Sequence, residues 1–315
     1  MNIPNNIQVS VCIVTYNQEK YIAECLESLV TQRTNFSFEI IVGEDCSTDN
    51  TRSIVKQYAE KYPELIVPLL YEKNVGAVEN VKQVYQKAKG KYIAHMDGDD
   101  LAKQDKLQKQ FDILENNSDC IICAHNMLLV DQFGNEKGLD HVLHKENKYN
   151  QLDLYLIHTL FRHSSKMFLN NIDYYIHDMH PELLDIELHI IQATYGNIYM
   201  LEETLGKYRE NVGVTFKDQF MNLQIIKRVE SLYETVDTTK FTVTQNKDIR
   251  KKYAHLLLSY AYLCSKTIQD EELYSKFVKK SLSIYKLTIY QVVFMLGLLK
   301  PKVFFKLVSI TKSRK

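Results

Sequence analysis

Short apolar runs alternate with stretches of helical periodicity across roughly the first third of the chain, and this alternation restricts the fold more than any other feature. "VSVCIVT" is continuous and rich in β-branched residues, as a strand covered on both faces must be. Tyr21, Ile22, Cys25, Leu26, Leu29 and Val30 then recur at helical spacing. "FEIIVGED" reads as a second strand. Ser47 or Thr48 is expected to cap the next helix, in which Ile54, Val55, Tyr58, Ala59 and Tyr62 share a face until Pro63. "LIVPLLY" follows as a third strand, and Val78, Val81, Val84, Tyr85 and Ala88 form another helical stripe, ended by Gly90. A fourth strand, Tyr92 to Met96, precedes a helix containing Leu107, Phe111 and Leu114. Strands and helices in this order imply an α/β fold, with a mostly parallel sheet and flanking helices.

In such sheets ligands collect beyond the carboxyl ends of the strands. Four polar segments fall there: Thr15 to Asn17, Glu44 to Asp49, Asn74 to Asn80, and Asp97 to Asp100. The last is the costliest, because "YIAHMDGDD" runs from a buried strand straight into three carboxylates. Asp97 and Asp99 are two residues apart, so a small turn can aim both at one point. One of two crowded carboxylates takes up a proton unless a cation lies between them. Mg²⁺ or Mn²⁺ accepts such oxygen ligands and leaves sites for phosphate oxygens. The expectation is an incomplete metal site, finished by a diphosphate substrate. A solvated acidic loop that helps to start the following helix is the plainer alternative. No G-x-G-x-x-G follows the first strand and no G-x-x-x-x-G-K-[ST] occurs, which disfavours dinucleotide and P-loop folds.

Cys120 and Cys123 form a C-x-x-C, yet three apart on a strand they face opposite ways and would not converge on zinc. The other four cysteines are scattered, and "MNIPNNIQ" is no export signal, so a cytoplasmic protein with free thiols is expected. The net charge of zero hides a split. From Leu273 onward there are ten Lys or Arg and no Asp or Glu, which leaves 29 basic against 39 acidic residues before it. The acidic body argues against nucleic acid as a partner.

"VSVCIVTYNQEKYIAECLESLVTQ", "FEIIVGEDCSTDNT", "KNVGAVEN" and "GKYIAHMDGDD", in this order, resemble the family 2 glycosyltransferases, whose fold is the Rossmann-like GT-A. The resemblance covers residues 8 to 115 and extends more weakly to about 215. It implies a nucleotide-sugar donor (a UDP-sugar), Mn²⁺ or Mg²⁺, and inversion at the anomeric carbon. Thr15, Tyr16 and Asn17 would then lie at the nucleotide, and Asp45 would accept from the uracil, with Glu44 supporting its loop. Ser47 and Asp49 are read as helix caps. Asn74, Gly76 and Asn80 match the segment flanking the nucleotide. Asp97 and Asp99 match the D-x-D that holds metal and diphosphate, while Asp100 would contact the donor sugar or hold the loop.

The family's catalytic base lies in a segment shaped like E-D-x-E-L. "PELLDIEL" has that outline, making Asp185 the candidate and Glu187 the runner-up, with capping of a helix as the alternative for Asp185. "KYREN" matches a Y-R-x-H motif in which Asn211 replaces histidine. Arg209 would reach phosphate or form a structural ion pair. "HTLFRHSSKMF" reads as an acceptor-side strand offering His163, Ser164 or Ser165 to the pocket floor.

Residues 1–212 would form the catalytic domain and 213–315 a C-terminal helical region, mainly helical over 217–295. "LTIYQVVFMLGLL" is too short for a membrane span. The lysine-interleaved "KPKVFFKLVSITKSRK" after it fits either an anionic membrane surface, with the protein peripheral on the inner face, or a packed helix with lysines in water. The expected activity is transfer to a glycan or lipid-linked acceptor in surface polysaccharide synthesis. A catalytically silent sugar-nucleotide-binding protein and a nucleotidyltransferase are the other readings.

Overall fold

The structure is a computed structural model that describes residues 7–140, 146–212, 222–286 and 288–304. The chain separates into two compact units, residues 1–214 and 215–315.

The first unit opens with β1 (Val9–Thr15), α1 (Ile22–Val30), β2 (Phe38–Glu44), α2 (Thr51–Lys61), β3 (Ile66–Leu70), α3 (Ala77–Lys87) and β4 (Tyr92–Asp97). These strands pair in parallel in the order β3-β2-β1-β4. β1 has neighbours on both edges and helices over both faces, which is why its sequence is apolar without alternation. Register brings the strand ends level, with Thr15 opposite Glu44 and Val14 opposite Asp97. Three of the four polar segments of the rim thus leave the sheet side by side.

The remaining strands are β5 (Leu101–Ala102), β6 (Cys120–Val130), β7 (Glu136–Leu139), β8 (Lys148–Tyr149), β9 (Met167–Leu169) and β10 (Asn197–Arg209). They extend the sheet beyond β4 through β9, β6 and β10 to β5; β9 is antiparallel to both neighbours, while β6 and β10 run parallel. Helices α4 (Lys106–Asn116), α5 (Gln151–Ile157) and α6 (Asp185–Gln192) complete the unit. All six cysteines are free.

Two expectations need correction. The segment from His158 to Phe168 is not one strand: His163–Ser165 is a 3₁₀ turn and only Met167–Leu169 pairs with the sheet. Polar side chains close that turn, with Ser165 Oγ donating to Arg162 O at 2.7 Å. Neither Ser47 nor Thr48 caps α2, which starts at Thr51. Ser47 Oγ instead accepts from Asn17 N (2.9 Å), and Asp49 Oδ1 takes the Thr51 amide (3.0 Å).

The described part of the second unit is helical: α7 (Leu223–Glu234), α8 (Val243–Thr267), α9 (Glu271–Ile284) and α10 (Ile289–Leu299). Asn222, Thr242, Asp270 and Thr288 each accept a backbone amide at a helix start. Leu257, Leu258, Ala261, Phe277 and Val278 are buried in the α8–α9 contact. Among the described residues no helix is long and apolar enough to cross a membrane. Residues 217–221 of the expected helical stretch and 305–315 of the basic tail lie outside the described residues.

Candidate active site

The turn after β4 is held from three sides. Gly98 N donates to Val14 O (3.0 Å) and Asp100 N to Asp97 O (3.1 Å). A Cβ at Gly98 would stand 2.9 Å from Thr15 Cβ, so only glycine lets the turn lie this close to β1. Ser164, from the 3₁₀ turn, accepts from Asp97 N and donates to Asp97 Oδ2, both at 3.0 Å. Arg209, at the end of β10, donates its amide to Asp100 Oδ1 (2.9 Å) and Nε to Asp99 O (3.1 Å). Its guanidinium continues to Glu24 Oε2 (2.8 Å) and lies 4.6 Å above the Tyr21 ring. Of the two roles open to Arg209, this arrangement serves the structural one: the side chain is buried and its donors face protein.

The three carboxyls feel different surroundings. Burial pushes Asp97 up, but hydrogen bonds from His95 and Ser164 and the charge of Lys166 hold it below its ordinary value. Burial and the Asp97 charge push Asp99 up to about 7. Burial, Asp99 and Asp97 push Asp100 well above the usual carboxylate range. Ser164 is near Asp100 but spends its proton on Asp97, leaving Asp100 Oδ2 buried without a hydrogen-bond partner. A buried oxygen in that state costs free energy until something electropositive meets it.

Asp45 is buried, and its carboxylate accepts from the amides of Val75 (2.6 Å) and Gly76 (3.0 Å). Gly76 has φ +87°, which suits glycine at the start of α3. Asn74 is exposed and donates to Asp45 O (3.1 Å). Glu44 is fully buried, accepting from Ser47 N (2.6 Å) and pairing with Arg52. Thr15 Oγ1 donates to Gln18 Oε1 (2.8 Å), Tyr16 is half-buried, and exposed Asn17 (φ +52°) accepts the Thr48 amide. Asn80 is not brought to the rim. It is buried on α3, donating to Gly43 O (2.9 Å), and a Cβ on Gly43 would collide with it at 1.8 Å.

Asp185 and Glu187 part company at the start of α6. Glu187 is buried and accepts the Leu184 amide (2.9 Å), so it is the residue that caps the helix. Asp185 keeps 72% of its side chain exposed and lies with Oδ1 3.6 Å from His163 Nδ1. Desolvation by the surrounding walls and the charge of Asp97 push its carboxyl up, to about 6, against the pull of Lys166. Exposure screens part of that desolvation; the two carboxylates are linked by geometry through His163, which meets Asp185, and His95, which meets Asp97.

Three ionisable groups around the expected His163 were not anticipated: His95, His189 and Lys166. Buried His95 has Nε2 3.3 Å from Asp97 Oδ1 and Nδ1 2.9 Å from Tyr85 Oη. The His95 and His163 rings lie 3.8 Å apart, and His163 Nδ1 is 3.1 Å from His189 Nε2. Burial lowers all three imidazoles, so the contact between His163 and Asp185 involves a neutral ring. Lys166, fully buried, donates to Gln192 Oε1 (3.0 Å), and burial brings it down to about 7 against the pull of Asp185 and Asp97. Two of these were readable by period: His95 is two residues before Asp97 on a strand, and His189 is one helical turn after Asp185.

Residues 10–174 match the family described as Glycosyl transferase family 2, more than half of the chain. The chain belongs to glycosyl transferase family 2. One relative, the putative teichuronic acid biosynthesis glycosyltransferase TuaG of Bacillus subtilis, is 37% identical over 136 residues, 43% of this chain and 52% of that protein. The chain spans about three fifths or less of the length of the curated relatives it matches, from 59% down to 28%. Among solved structures, S. aureus TarS 1-349 in complex with UDP-GlcNAc superposes with a TM-score of 0.69 at 19% identity, over 98% of this chain and 92% of that one. The mannosyltransferase PcManGT of Pyrobaculum calidifontis, in complex with GDP-Man and Mn²⁺, gives 0.55 at 15% identity, over 99% and 89%. Both likenesses establish the GT-A fold of this family 2 chain. Among its described residues no three His, Cys, Asp or Glu groups are already arranged around a metal position.

Proposed function

We propose that this chain moves a sugar from a UDP-sugar to a glycan or lipid-linked acceptor, inverting the anomeric carbon, in surface polysaccharide synthesis at the cytoplasmic face of the membrane. The observation that carries the reading is the crowding after β4, where Asp99 and Asp100 are buried beside Asp97 and Asp100 keeps an unpartnered buried oxygen, with exposed Asp185 joined to Asp97 through His163 and His95. The sugar nucleotides bound to TarS and PcManGT support a donor of that class, and the teichuronic acid biosynthesis of TuaG supports a polysaccharide as product.

The oxygen-only donor set fits a hard divalent cation, Mn²⁺ or Mg²⁺, held by Asp97 and Asp99 with the donor diphosphate. When bound, the ion would offset the charge that grows on the departing nucleoside diphosphate. Asp100, Ser164 and Arg209 hold the turn in place for it. Asp45 retains lone pairs for the base, next to Thr15, Tyr16 and Asn17, while Asn74 and Gly76 form the opposite wall. Asp185 takes the acceptor hydroxyl proton as that oxygen attacks C1 and the bond from C1 to the diphosphate breaks. Residues 1–212 carry this chemistry, and 213–315 serve to place the enzyme.

Titration with UDP, GDP, dTDP and CDP, with and without Mn²⁺, tests the donor class through the melting temperature. UDP should raise it, and only with the metal. A rise with no base preference, or one that ignores the metal, removes the assignment.

A further inference from the structure

α10 exposes apolar side chains on a scale not found elsewhere among the described residues. Among the described residues, eight of the eighteen exposed large hydrophobic side chains fall between Ile289 and Val303. Five of them, Ile289, Val292, Val293, Leu296 and Leu299, succeed one another at spacings of three, one, three and three. They therefore line one face of the helix. Ile289 and Leu299, at its two ends, are 73% and 79% exposed.

The other face is already in use. Gln291 is buried and donates through Nε2 to Ser281 O (3.0 Å). Gly297 is buried too, and a Cβ there would lie 2.1 Å from Tyr274 Oη. Near the start of the helix, Tyr290 meets His255 edge-on with ring centres 5.5 Å apart. One side of α10 is packed into its own unit, and the other presents a continuous apolar stripe to the outside. A stripe of this size on a folded chain marks a contact surface.

We propose that this stripe docks α10 lengthwise on an anionic lipid surface. The charge pattern selects the occupant. Exposed Lys286 precedes the helix, exposed Lys300 and Lys302 follow it, and no acidic residue occurs after Glu272. A symmetric contact between two copies would bring these cationic ends together, whereas acidic lipid headgroups complement them. Length selects the orientation. Eleven residues make a helix of about 16 Å, roughly half the hydrocarbon core. Such a helix reaches its apolar neighbours only by lying in the interface, stripe down, with its lysines at the phosphate level. The surface stands independently of the transfer chemistry proposed for the first unit.

Sedimentation of the full chain with vesicles tests it, using phosphatidylcholine alone or mixed with phosphatidylglycerol. The chain should pellet with the mixed vesicles, leave the neutral ones in solution, and release as salt rises. Leu296→Glu should weaken the partition at least about tenfold, and Leu296→Ala by less. Both variants should keep the parent melting temperature, because the side chain faces outward. Pelleting that survives Leu296→Glu overturns the proposal, as does equal binding to neutral vesicles or none to either. A lipid-independent dimer in sedimentation equilibrium, dissociated by Leu296→Glu, would also overturn it by assigning the stripe to a second copy. Metal-dependent UDP binding, measured on the same samples, reports separately on the donor site.

Discussion

The two units break the ordinary rules of burial in opposite directions. The first takes ionisable groups inside: Asp100, Lys106, Lys166, His95, His163 and His189 are all buried in the unit built on the mixed sheet. The second puts its irregularity outside, as an apolar stripe on α10. Buried charge is costly unless a partner is supplied, and exposed apolar surface is costly unless something covers it. Each unit is therefore incomplete by itself, the first for a polar ligand and the second for a greasy one. A substitution at one irregularity should leave the properties of the other unchanged.

The largest expected effect is on turnover. Asp185→Asn should lower kcat by roughly a thousandfold, in the range of a lost general base, with metal-dependent UDP affinity unchanged. Sugar transfer or donor hydrolysis over a panel of sugar nucleotides reads the first, and calorimetric titration the second. Persistent turnover would exclude Asp185 as the base.

Asp99→Asn should abolish the stabilisation by UDP with Mn²⁺, about 2.7 kcal/mol at a hundredfold excess over Kd, read as a lost shift in melting temperature. An undiminished shift would move the metal elsewhere. Arg209→Lys comes next. Lysine cannot serve Asp99 O and Glu24 together while lying flat on Tyr21, so urea unfolding should show a loss of about 1–3 kcal/mol.

The pH dependence sharpens the contrast further. Folded Asp99 keeps its proton up to about 7, while the unfolded carboxyl loses it near 4. Between these values the folded state binds more protons, so the stability of the metal-free chain should fall as pH rises through that window. Asn at position 99 should flatten the slope, by about 1–3 kcal/mol between the two ends. A wild-type slope retained in Asp99→Asn would assign the proton uptake to another group. Smallest of all, Leu296→Glu should shift the unfolding free energy by no more than about 0.5 kcal/mol, since it disturbs no internal contact. A larger loss would mean that the stripe packs within the chain.

Wherever a single period governs a segment, sequence reading reaches the structure. The strands β1 to β4, the stripes of α1 to α4 and the level strand ends follow from alternation alone, because each is a local consequence of burial. The 3₁₀ turn at His163–Ser165 does not follow, since its hydrogen bonds are made by polar side chains inside an otherwise strand-like run. Two-residue strands such as β5 and β8 have no period to detect. In the site, the rim residues were legible as polar segments after strands, but their partners were not. Glu187 and Asp185 look equivalent in sequence, and only the bond to the Leu184 amide separates the cap from the free carboxylate. Asn80 looks like a rim residue until the packing of α3 against Gly43 removes it from the surface. Lys166 carries no pattern at all, because its surroundings come from β4, α6 and Phe168 of β9.

Arg209 has a consequence for timing. Its fastening joins the end of β10 to the aspartate turn, to α1 through Glu24, and to Asp131 O beyond β6. Elements distant in sequence thus lock the turn during folding, and the entropy of ordering it is spent before any donor arrives. A chain built this way meets its ligand with that corner already in shape, so free and loaded molecules should superimpose there.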